Sequence, residues 1–189
     1  MKLIIGLGNP GKEYEHTRHN TGFKAVNFLA EKFEGNWQEK PKLFGSLSQI
    51  TISSQPVFLL KPTTFYNDSG QSARAVKDFY KLEYSDILVI HDELALPFGT
   101  IRTRTGGSDA GNNGIKSLNA HLEESYGRIR VGVWHELRDH IEDTDFVLGK
   151  FNQSERESFA EILKVIEKIT TDFAADMFES TSYKINREE

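Results

Sequence analysis

The chain has 189 residues, 38% of them hydrophobic and 27% charged, with a formal net charge of -5. This length and composition suit a single soluble domain spanning residues 1–189 with a real core, while the acidic balance requires that any polyanion be met by a local basic patch. Cysteine is absent, which excludes disulfides, thiol nucleophiles and zinc–thiolate sites and points to a reducing, cytoplasmic setting.

Lys2-Leu3-Ile4-Ile5 opens the chain as a short strand, too brief for the core of a signal peptide. No later stretch reaches membrane-spanning length, so no membrane association is expected. Gly6-Leu7-Gly8-Asn9-Pro10-Gly11 then satisfies G-x-G-x-x-G. A dinucleotide site also needs a helix opening on the glycines and an acidic residue closing a second strand. Lys12 to Arg18 lacks helical apolar spacing, and Glu31 and Glu34 fall inside an amphipathic helix pattern. The loop ends instead on Arg18-His19-Asn20, the makeup of a reaction site.

Phe23, Val26, Leu29, Ala30 and Phe33 give a helix with Asn20-Thr21 as its cap. Residues 43–52 and 57–60 read as two strands joined by a turn near Ser53-Ser54-Gln55. Ala73, Val76, Phe79 and Tyr80 mark a second helix capped by Asp68 or Ser69. Ile87-Leu88-Val89-Ile90 is a buried central strand, followed by His91-Asp92-Glu93 as a polar segment. Ile115, Leu118 and Leu122 give a helix opening near Asn112-Asn113, Arg130 to Val133 a strand, and Phe159 to Phe173 a long last helix capped by Ser154. Strands alternating with helices predict an α/β fold, a twisted, mostly parallel sheet flanked by helices. Parallel strands would gather the Asn9, Phe65-Tyr66-Asn67 and Asp92 segments at one carboxyl edge, where open α/β folds place ligands.

Those segments hold the parts for acyl hydrolysis. His19 is a base for activating water, Asp92 a carboxylate to fix its tautomer, and Asn9, Asn67 and Asn113 are neutral donors for an oxyanion or a peptide group. Taken singly each has a plainer use, as a surface histidine, a turn cap or a helix start; convergence is what gives them weight. A serine nucleophile at Gly107-Ser108-Asp109 lacks the apolar strand that such an elbow needs. No histidine pair has zincin spacing, so no metal or cofactor is expected. Arg102 and Arg104 alternate along a probable strand towards a glycine-rich loop and a helix N-terminus, an arrangement suited to phosphate. Arg128, in a second alternating pair with Arg130, reads as a solvated surface charge. Tyr14, Phe65 and Tyr66 are able to stack on bases or pack on a peptide.

The blocks GLGNPGKEYEHTRHNTGF, KPTTFYNDSG and HDELALPFGTIRTRTGG, in this order and spacing, resemble the bacterial peptidyl-tRNA hydrolase family over Met1 to about Phe151. The resemblance implies one α/β domain with a twisted mixed sheet, no metal, and hydrolysis of the ester between a peptide and the 3′ ribose of tRNA. It implies a monomer with peptidyl-tRNA as its partner and no obligate protein partner. By position, His19 falls on the general base and Asp92 on its carboxylate. Asn9 falls on the residue that discriminates peptidyl-tRNA from unblocked aminoacyl-tRNA. Tyr14, Phe65, Asn67 and Asn113 fall on substrate-binding positions, and Arg102 and Arg104 on basic positions for the tRNA end. The chain departs from the pattern at Tyr66, where methionine is common, at Asn112, where histidine is usual, at Ser108-Asp109, and in Trp134 to Arg138, which lacks Gly-x-Pro. Two other readings compete: a non-catalytic RNA-binding protein, as plastid relatives of the family are, and a nicotinamide or flavin enzyme resting on the glycine motif.

Overall fold

A computed structural model describes residues 1–185. Eight strands form one sheet: β1 (Lys2–Gly6), β2 (Trp37–Lys40), β3 (Gly45–Ile52), β4 (Gln55–Pro62), β5 (Ile87–Pro97), β6 (Thr100–Thr105), β7 (Gly127–Trp134) and β8 (Ser182–Lys184). Their order is β2-β3-β4-β1-β5-β7-β6-β8. The central four, β4, β1, β5 and β7, run parallel, whereas both flanks are antiparallel. The sheet is therefore mixed, with its parallel pairing concentrated in the middle.

Side chains of β1 alternate between two cores. Ile4 belongs to the layer under α1 (Thr21–Lys32) and α5 (Gln153–Ala174). Leu3 and Ile5 belong to the layer under α2 (Ser69–Tyr80) and α3 (Asn113–Leu122). Burial on both faces explains why the central strands read as unbroken apolar runs. A short helix, α4 (Asp143–Leu148), follows β7.

Four local expectations are revised. His91-Asp92-Glu93 does not follow the central strand; it is the buried continuation of β5, paired with Arg130, Val131 and Gly132 of β7. The last helix starts two residues earlier, capped by Asn152, whose side chain and that of Glu155 form a reciprocal capping box; Ser154 lies inside the helix. At α1, Asn20 occupies the N-cap position without capping, as does Asp68 at α2. Asn112 does cap α3, accepting from Ile115 N.

The glycine motif works by close approach. Leu7 N donates to Ile90 O at 3.0 Å and Phe23 N to Leu7 O at 3.1 Å, which presses the start of α1 onto the ends of β1 and β5. A Cβ on Gly22 would collide with Leu7 N and Ile90 O, and one on Gly6 with Gly22 O. Gly11 has φ 115, in the region that favours glycine. These glycines set the separation between His19, just before α1, and Asp92, just beyond Ile90. Gly22→Ala is expected to destabilise the fold by about 1–3 kcal/mol through overpacking against backbone. Its thermal melt should drop by several degrees, and an unchanged melt would contradict the close-approach account.

Candidate active site

The carboxyl ends of the four parallel strands converge as the topology requires, and they wall a cleft of about 490 Å³. Asn9 comes from the segment after β1, Phe65, Tyr66 and Asn67 from that after β4, Asp92 from β5, and Arg138 from beyond β7. Asn112 and Asn113 enter from the start of α3, and Asp143 and Leu148 from α4. His19 lies among them.

His19 Nδ1 lies 2.9 Å from Asp92 Oδ2. An ionised carboxylate only accepts, so Nδ1 carries the proton and Nε2 keeps a lone pair. Asp92 is 2% exposed, yet both its oxygens are used: Tyr66 Oη donates to Oδ1 at 2.6 Å. Burial, followed by the charge of Asp92, holds the Tyr66 phenol well above its usual value of 10.0, so it remains a donor. The Tyr66 ring stacks on the imidazole with centroids 3.5 Å apart and planes 16° apart. Burial also pushes His91 below the usual histidine range; its Nδ1–H donates to the Asp92 carbonyl at 2.7 Å.

The Asn9 segment is clamped by Asn20, whose Oδ1 accepts from Asn9 N at 2.8 Å and whose Nδ2 donates to Asn9 O at 2.9 Å. Asn9 Oδ1 in turn accepts from Tyr66 N at 2.8 Å. With that oxygen committed, the Asn9 amide has N–H donors left to offer the cleft. Asn67 and Asn113 are exposed on its wall, and Phe65 is 60% exposed at its mouth.

Among the residues singled out in the sequence, His19, Asp92, Asn9, Phe65, Asn67 and Asn113 come together in the cleft. Tyr14 is half-buried in the turn before His19 and does not line it. Arg102 and Arg104 sit on β6 away from it, Arg102 exposed and Arg104 laid against Gly107. Arg128 is not a solvated charge: it is buried and donates to Gly107 O, to Ser108 O at 2.8 Å and to Asn119 Oδ1 at 3.0 Å, tying down the loop that leads to Asn112.

Sequence reasoning missed four contributors. Tyr66 reads there as a surface for bases or a peptide, Asn20 as a cap and Asn112 as a helix start. Arg138, paired with Asp143 at 2.7 Å on one wall, gave no signal, because an arginine in a polar segment looks like any other. Among the described residues, no group of three or more His, Asp or Glu side chains is placed to hold a metal ion.

A model of the family described as "Peptidyl-tRNA hydrolase" matches residues 3–189, well beyond the stretch carried by the sequence blocks. Peptidyl-tRNA hydrolase of Gloeobacter violaceus is 46% identical over 164 residues, covering 86% of this chain and 82% of that one. That of Listeria welshimeri is 40% identical over 187 residues, covering 98% and 100%. Among solved structures, an Arg119Gln mutant of the Acinetobacter baumannii peptidyl-tRNA hydrolase superposes with a TM-score of 0.84 at 34% identity, covering 94% of this chain and 92% of its own. The fold and cleft are thus those of an α/β protein with a polar centre at the carboxyl edge of its sheet. This chain belongs to the peptidyl-tRNA hydrolase family.

The Asn20 clamp makes a direct prediction. Asn20→Ala frees the Asn9 loop, and misplacement by about 1 Å in such a site costs up to roughly 100-fold in rate. A fall in turnover of about 10- to 100-fold in a folded variant is expected; wild-type turnover would reduce Asn20 to a helix-end residue.

Proposed function

We propose that the chain hydrolyses the ester between a peptide, or another N-blocked aminoacyl group, and the 3′ ribose of tRNA, returning free tRNA to translation. The observation that carries the reading is the His19 Nδ1 to Asp92 Oδ2 contact of 2.9 Å, on the floor of a cleft walled by Asn9, Asn67 and Asn113. Water gives a proton to His19 Nε2 as its oxygen forms a bond to the ester carbonyl carbon. Asp92 holds the imidazole in the required tautomer and steadies the imidazolium. The asparagine amides meet the developing oxyanion and the peptide group. As the carbon–oxygen bond to the ribose breaks, the same proton passes to the leaving 3′ oxygen, so protons balance over the cycle.

No covalent intermediate enters this scheme. Among the described residues lining the cleft there is no serine or cysteine, and the aliphatic hydroxyl there is that of Thr144 on α4. Asn9, with Oδ1 committed to Tyr66 N, offers its amide N–H groups to a carbonyl of the blocked amino group, which a free amine does not present. Phe65 and Tyr14 supply aromatic surface for the acceptor end or the peptide. Arg102 and Arg104, off the cleft, are left with the tRNA phosphates rather than the reacting ester. The protein works in this reading as a cytoplasmic monomer with peptidyl-tRNA as its partner; among the described residues no helix is long and apolar enough to cross a membrane.

Rates of tRNA release from N-acetylated aminoacyl-tRNA test the mechanism. His19→Ala is expected to slow turnover by roughly 100- to 10,000-fold, the range for loss of a general base. Asp92→Asn should slow it through the wrong tautomer with the melting curve little changed. A folded His19→Ala protein at wild-type rate would overturn the mechanism.

A further inference from the structure

The departures at Tyr66 and Asn112 are not independent: they touch each other and the same aspartate, Tyr66 at a carboxylate oxygen and Asn112 at the backbone carbonyl, 3.3 Å away. Asn112 Nδ2 lies 3.1 Å from Tyr66 Oη, and Tyr66 Oη lies 2.6 Å from Asp92 Oδ1. Donor chemistry fixes the direction of this chain. An amide nitrogen only donates and an ionised carboxylate only accepts, so the hydroxyl accepts from Asn112 and donates to Asp92. Asn112 is itself anchored, its Oδ1 capping α3 through Ile115 N at 3.0 Å. The Tyr66 ring is equally constrained, stacked on His19 and packed against Gly114, where a Cβ would collide with it.

We propose that Tyr66, oriented by Asn112, is a positioning residue that sets the pH at which the His19–Asp92 pair works. This rests on the reading of His19 as the base. The Tyr66 hydroxyl draws part of the Asp92 charge onto Oδ1, leaving less for the imidazolium held at Oδ2, while its ring fixes the imidazole plane. Removing the hydroxyl strips a donor from ionised Asp92 and concentrates charge facing His19. Both changes make the pair hold a proton more tightly, so the acid limb of activity moves to higher pH.

Other charges near the pair are neutralised locally. Glu93, next along β5, is held by Arg130 at 3.0 Å. Arg18, beside His19, is held by Glu155 at 2.9 Å, and Arg138 by Asp143 at 2.7 Å. His91 hydrogen-bonds the Asp92 carbonyl, at 2.7 Å. Among the described residues, Tyr66 is the side chain other than His19 that donates to the Asp92 carboxylate.

The test is kcat and KM against pH, with N-acetylated aminoacyl-tRNA, for the wild type, Tyr66→Phe, Asn112→Ser and the double variant, with His19→Ala alongside. Phenylalanine keeps the stacked ring and serine keeps a capping oxygen, so both variants are built to fold. Tyr66→Phe is expected to move the acid limb of kcat/KM up by about 0.5–1 pH unit with KM little changed, the size of one hydrogen bond. Asn112→Ser should move it less, in the same direction, and should add nothing in the Tyr66→Phe background, because the two act as one chain. An unmoved limb in Tyr66→Phe, with His19→Ala inactive, would overturn the role of Tyr66 and leave the base standing. Wild-type activity in His19→Ala would bring down the base and this role together.

Discussion

Asp92 puts a carboxylate with 2% exposure inside the protein, and such a group is tolerable only when hydrogen bonds replace the water it has lost. Its two oxygens are taken by His19 and by Tyr66, so the same bonds that make its burial possible also orient the imidazole. The rest of the molecule supplies the distances. β5 carries Asp92 past the point where β1 and β4 end, and Gly6 and Gly22 let α1 sit close enough to bring His19 within reach. Gly114 gives Tyr66 room at the start of α3. Stability and chemistry here draw on one set of contacts.

A buried charge pair holds the other side of the His19 turn. Arg18 meets Glu155 at the head of α5, and its guanidinium lies 4.4 Å from the centre of the Phe146 ring. Removing one member of such a pair costs about 3–5 kcal/mol because the survivor is left buried and unpaired, whereas the intact pair adds little net stability. What it adds is registry. Through Glu155, whose Oε2 also accepts from Asn152 N, the turn bearing His19 is tied to a helix far along the chain.

Much of this arrangement could be read from the residues. Helix periods, the apolar runs of β1, β4 and β5, and the polar segments after them were enough to predict an α/β sheet with His19, Asp92 and the asparagines at one edge. The misses share a cause: a polar side chain near an element end has several possible partners, and local sequence cannot choose among them. Asn20 satisfies the preference for an N-cap, yet its amide is spent on Asn9. Arg128 alternates like a surface charge, yet three acceptors in the adjoining loop and helix hold it inside. Asp92 looked like the start of a loop because acidic residues are rare in buried strands, and His19 and Tyr66, both distant in sequence, together make the exception possible. The short α4 escaped notice since its few apolar residues follow three polar ones, and the peripheral β2 and β8 are too polar or too brief to carry a period.

The central claim is that this cleft cleaves an acyl–tRNA ester only when the amino group is blocked. The direct measurement is release of free tRNA by the unmodified protein from N-acetylated aminoacyl-tRNA, run beside the same aminoacyl-tRNA with its amine free and with EDTA in both. Rapid release from the blocked substrate alone is the predicted result. Release from neither, or equal release from both, would contradict it.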